Sequence, residues 1–171
     1  MKYVYHKVPI GMQGNIIYPL NTLKKAYPKL YQQQLRKYEG RGKVMKQLIP
    51  GLNCLWNDVV HLTAVSPNKI KKIFNNYGEA FEWRFYKIPL KDLELNKTIV
   101  YLYNDKPRET LSSGNFKKLI ESDFQKYSEI PIETVRYYKD MFDQRKKPLV
   151  FHRIPHIFYR GVLDISKYKI V

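Results

Sequence analysis

Four histidines, His6, His61, His152 and His156, are the residues of this chain best suited to chemistry near neutral pH, because imidazole exchanges a proton there and ligates transition metals. His152 and His156 have a spacing that faces one way on a helix. Pro155 and the β-branched residues around it argue against a helix at that point, so no metal site is expected from the pair. His6 shares one face of an alternating segment with Val4 and Val8, which turns it into the fold. Among the acids, Glu129 and Glu133 bracket Pro131 at a helix start, where the helix N-terminus stabilises negative charge. A catalytic Glu129 needs a cleft with a histidine or arginine beside it. Cys54, the only cysteine, lies in the apolar run Leu52–Trp56 and reads as packing; alone it rules out an intramolecular disulfide. The chain has no glycine-rich phosphate loop, no G-x-S-x-G elbow and no H-E-x-x-H pair, which argues against P-loop hydrolysis, serine esterase chemistry and metalloprotease activity.

Charge says more about the partner than these residues say about the reaction. The chain of 171 residues is formally +16, and its first fifty residues carry ten Lys and Arg against one acid, Glu39, with six tyrosines among them. A positive field concentrated in residues 1–50 suits a polyanion, and nucleic acid is the first candidate. Lys24, Lys25, Arg36, Lys37, Arg41 and Lys43 are the expected phosphate contacts. Interleaved tyrosines stack on unpaired bases, which favours a single strand. The opposing reading makes Tyr27, Tyr31 and Tyr38 the packed side of a helix whose lysines face water. The start lacks a signal-peptide core, and charge interrupts every apolar run short of a membrane span, so a soluble, cytoplasmic protein is expected.

The elements that must position these groups follow from periodicity and punctuation. Residues 2–8 alternate as a first strand; Asn21 caps a short helix to Tyr27, and Pro28 opens a second ending at Gly40. A strand is expected from Asp58 to Thr63. Ser66-Pro67, Ile70, Ile73, Phe74 and Gly78 mark a helix with an N-cap, a first-turn proline and a terminal glycine. Phe81–Ile88 and Thr98–Tyr103 read as strands of one sheet. Phe116, Leu119, Ile120 and Phe124 repeat at helical spacing, as do Ile132, Val135, Tyr138 and Phe142 after Pro131. Leu149–His152, Ile157–Tyr159 and Tyr168–Val171 return to strand character. The expectation is a single α+β domain over residues 1–171, with a mixed, mostly antiparallel sheet and about five helices. The polar stretch from Asn104 to Asn115 is the one candidate internal break.

The opening Val4-Tyr5-His6-Lys7-Val8, followed by turn and helix, resembles the first strand of ADP-ribosyltransferases, particularly the DarT-type toxins that modify single-stranded DNA. His61-Leu-Thr-Ala-Val-Ser-Pro67 through Ile73 is similar to the family's central strand-and-helix unit. The resemblance implies NAD as co-substrate, His6 holding the nicotinamide ribose, Tyr86 packing on the nicotinamide and Glu129 orienting the ribose for attack, without a metal. It implies an enzyme of toxin or effector type. Two departures stand beside it: Ser128-Glu129-Ile130-Pro131 runs into a helix rather than a strand, and Asn15-Ile16-Ile17-Tyr18 is only a loose echo of the early N-L-x-x-I-L signature. The rival readings are a non-catalytic basic nucleic-acid-binding domain and a metal-independent nuclease using two of His6, His61 and His152 as acid and base.

Overall fold

Alternation in the first residues produces β1 (Tyr3–Lys7), whose Val4 is wholly buried. The computed structural model describes residues 1–40, 42–103 and 111–171. After β1 come β2 (Ile16–Ile17), α1 (Leu20–Ala26), α2 (Pro28–Leu35) with a 3₁₀ turn over Arg36–Tyr38, α3 (Gly42–Met45), β3 (Leu48–Ile49), β4 (Cys54–Leu55) and β5 (Val60–Thr63). The chain continues through α4 (Pro67–Asn76), β6 (Phe85–Pro89), β7 (Thr98–Tyr101), β8 (Phe116–Lys118), α5 (Phe124–Tyr127), α6 (Ile132–Asp143), β9 (His156–Tyr159), β10 (Leu163–Asp164) and β11 (Lys169–Ile170). The fold is α+β.

Seven strands form one sheet in the order β11-β6-β1-β5-β9-β7-β8, with every neighbouring pair antiparallel. Strand β1 is held by five consecutive register pairs on β6, from Tyr3↔Pro89 to Lys7↔Phe85, but by the single pair Tyr5↔Thr63 on β5. Alternation divides the buried residues between two faces. Val4, Leu62, Tyr86, Val100 and Ile157 pack on one, and Trp56, Ile99, Tyr101, Phe116 and Phe158 on the other. A third cluster lies under the helices: Val65, Ile70 and Phe74 meet Tyr138, Val150 and Ile154.

Several expected elements differ in the structure. The spacing of Phe116, Leu119, Ile120 and Phe124 belongs not to one helix but to β8, a 3₁₀ turn over Glu121–Asp123 and the short α5. Phe116 enters one core cluster, Leu119 and Phe124 another, and Ile120 is exposed. Tertiary pairing of β8 with β7 overrides the local periodicity. Leu149–His152 is a turn instead of a strand, closed by the His152 N–H donating to the Leu149 carbonyl at 3.0 Å. There the Val150 carbonyl accepts from the buried Tyr138 hydroxyl. The strand expected from Phe81 begins only at Phe85, because Phe81 packs edge-on against Phe74 of α4, 5.3 Å between ring centroids. Residues 104–110 of the candidate internal break lie outside the described residues.

Tyr138→Phe tests the support beneath this turn. It keeps the ring but strands the Val150 carbonyl in the core, so a loss of about 1–3 kcal/mol is expected in urea unfolding. An unchanged midpoint would show that the hydroxyl contributes nothing.

Candidate active site

Three of the four histidines come from adjacent strands of the central sheet: His6 from β1, His61 from β5 and His156 from β9. Alternation places His61 and His156 on the Phe158 face, since His61 pairs with Phe158 and His156 with Thr63. It sends His6 to the opposite face with Val4. They still line common space, because β1 and β5 pair only at Tyr5↔Thr63 and no ladder partner on β5 holds His6 or Lys7.

At this gap lie two cavities, of about 310 and about 420 Å³. Both are lined by His6, Pro9, Gln34, Lys37, His61 and His156, which form a shared waist. On one side the walls include Tyr18, Tyr27, Tyr38 and Trp56; on the other they include Tyr5, Trp83 and Phe151. Among the described residues, neither cavity has an Asp or Glu in its lining. Among the described residues, no group of three or more His, Cys, Asp or Glu is placed to hold a metal ion.

The imidazoles are oriented by backbone. His61 Nε2 lies 3.2 Å from the Trp56 carbonyl, and His156 Nδ1 lies 2.7 Å from the Ile154 carbonyl. A carbonyl oxygen can only accept, so these nitrogens carry the protons and the tautomers follow. Trp56 fixes the His61 ring edge-on at 5.2 Å, while Phe158 lies against it at 4.6 Å. His6 Nδ1 and Asn57 Oδ1 are buried without a hydrogen-bond partner, and both residues line the first cavity. Orphaned polar atoms facing a cavity are groups that a ligand can satisfy.

Burial lowers the His6 pKa to about 4, opposed by the Lys7 backbone and aided by the Lys37 charge. Burial, then the proximity of His156, lowers His61 to about 3. The Lys37 amine is also shifted down by burial, although its side chain keeps substantial exposure, so only its end is sheltered. A neutral imidazole in the fold that becomes cationic on unfolding favours the unfolded state as protons are added. Stability is therefore fully present above the ordinary pKa of 6.5 and falls as the pH drops from there toward 4. We expect the melting temperature to decline across this window, with His6 and His61 ring proton resonances unshifted above pH 5. Titration of either ring near 6.5 would contradict the sheltered site.

The residues singled out from the sequence are only partly brought together. Tyr86 pairs directly with His6 across β6–β1, yet it is 8% exposed and outside both linings; its hydroxyl reaches Met12 Sδ at 3.4 Å, and Met12 lines the cavity. Glu129 lies in neither lining. Its exposed carboxylate receives the Lys69 amine at 2.7 Å and the Gln125 amide at 2.7 Å, and the Lys69 bond, more than any other contact, holds its pKa down. His152 lies tilted against Tyr137, 4.0 Å between centroids, outside the cavities. Cys54 is buried, and burial raises its thiol pKa.

Lys24, Lys25, Arg36, Lys37 and Lys43 are exposed around α1, α2 and α3; Arg41 lies outside the described residues. Lys37 belongs to this basic surface and to the cavity waist at once. Trp56 and Asn57 carry no signal as site residues in the sequence, and His156 stands there only as one of four histidines. Only the pairing of β5 with β9 could have placed His156 beside His61. No described helix is long and apolar enough to cross a membrane. No protein-family model, curated protein or solved structure matches the chain.

Proposed function

We propose that the protein is an NAD-dependent ADP-ribosyltransferase acting on nucleic acid, and that the double cavity is its NAD site. The observation that carries this reading is the two-lobed shape: aromatic walls on each side of a waist formed by three imidazoles and a lysine. NAD has a matching layout, with two aromatic heterocycles joined through riboses to a central pyrophosphate. Both lobes fall within the size range of small-molecule sites. Lys37 faces the pyrophosphate and His6 hydrogen-bonds the nicotinamide ribose. The aromatic surface open to a heterocycle is that of Tyr38 and Trp56 or of Trp83 and Phe151, with Tyr86 behind Met12. The acceptor strand lies on the basic surface that ends at Lys37.

Calorimetric titration with NAD, nicotinamide mononucleotide and AMP tests the site. A two-lobed site binds NAD at least tenfold more tightly than either half, at one molecule per chain. Equal affinity for AMP and NAD, or no binding, removes the reading. The presence of His6 and His61 with Lys37 in one cavity also fits metal-free phosphodiester cleavage. Shortened oligonucleotides in the absence of NAD would favour that second reading.

A further inference from the structure

Resting on the NAD reading, we propose that His61 is the proton acceptor for the attacking group of the acceptor substrate. His61 lines both lobes, so it faces whatever spans the waist. Its Nε2–H is committed to the Trp56 carbonyl, which leaves the lone pair on Nδ1. Trp56 and Phe158 lock the ring, so the lone pair has a fixed direction before any ligand arrives. Among the described residues no carboxylate lines either lobe, and Glu129 is engaged elsewhere by Lys69 and Gln125.

The step balances without a further reactant. The bond between ribose C1′ and the nicotinamide nitrogen breaks, and its electron pair neutralises the positive ring nitrogen as nicotinamide leaves. An oxygen or nitrogen of the acceptor bonds to C1′, and its proton moves to His61 Nδ1. Burial holds the imidazole neutral, with His156 from β9, Lys37 from the turn after α2 and His6 from β1 opposing its protonation. The Asp58 carboxylate is turned away, accepting from the Leu55 N–H at 2.8 Å and the Asn21 amide at 2.7 Å. Two pyrophosphate charges at the waist offset the Lys37 charge and raise the proton affinity of His61 when the donor is bound.

The test is single-turnover transfer from saturating NAD to oligonucleotide, between pH 6 and 9, for wild type, His61→Asn and His61→Ala, with NAD binding measured separately. We expect transfer at least a hundredfold slower in both variants, with the NAD Kd changed less than threefold. Added imidazole restores part of the His61→Ala rate, in proportion to the neutral imidazole present. Three results overturn the assignment: wild-type rate in His61→Asn, loss of transfer that tracks loss of NAD binding, or loss in Glu129→Gln while His61→Ala stays active. Wild type that binds no NAD defeats the NAD reading and this inference together, whereas active transfer in His61→Asn defeats this inference alone.

Discussion

His6→Ala is expected to lower NAD-dependent labelling of nucleic acid by at least roughly a hundredfold while the protein remains folded. On the proposed function His6 orients C1′ through a hydrogen bond to the ribose, and losing such an orienting contact costs on the order of 10²-fold in rate. The stability side of this prediction follows from the unpaired Nδ1. Truncating a hydrogen-bonded core histidine strands its partner, but His6 Nδ1 has no partner to strand. Its ring also borders a cavity, so surrounding side chains are not left facing a new void. The melting temperature should fall by only a few degrees. A severe loss of stability together with activity would make His6 a structural residue; full activity would remove it from the site.

Charge reversal at Lys24, Lys25, Arg36 and Lys43 is expected to weaken single-stranded nucleic-acid binding at least about a hundredfold at moderate salt. Each lost phosphate contact also lowers the log-log salt slope by about 0.7. All four side chains are exposed, and exposed charges contribute under about 1 kcal/mol each to folding, so stability should change little. Lys37 is left intact because it lines the waist. Parallel NAD titration should show unchanged affinity. Undiminished oligonucleotide binding would locate the polyanion elsewhere; an equal loss of NAD and nucleic-acid binding would mean that these charges act through the fold.

The sequence made β1 legible because Val4, His6 and Val8 alternate against Tyr3, Tyr5 and Lys7, and it made α4 legible because Pro67 and Gly78 punctuate both ends. It misled at Phe116–Phe124, where one apolar spacing serves a strand, a turn and a helix whose side chains enter different clusters. The site divides in the same way. His6 could be placed on an inward strand face from local alternation alone. His61 and His156 converge through β-pairings between residues almost a hundred positions apart, which no local pattern encodes, whereas Trp56 reaches His61 by a contact five residues back along the chain. Lys37 reads as one cation among ten, and only the fold of the turn after α2 brings its amine to the waist.

On the proposed function, the double cavity takes NAD and delivers its ADP-ribosyl group to nucleic acid. Incubating the protein with NAD labelled in its adenylate phosphate and a panel of single-stranded DNA and RNA oligonucleotides tests this directly. Label covalently attached to at least one oligonucleotide, release of one nicotinamide per transfer, and loss of both signals in His6→Ala are the expected results. Neither oligonucleotide labelling nor nicotinamide release from the wild-type protein across the panel would contradict it.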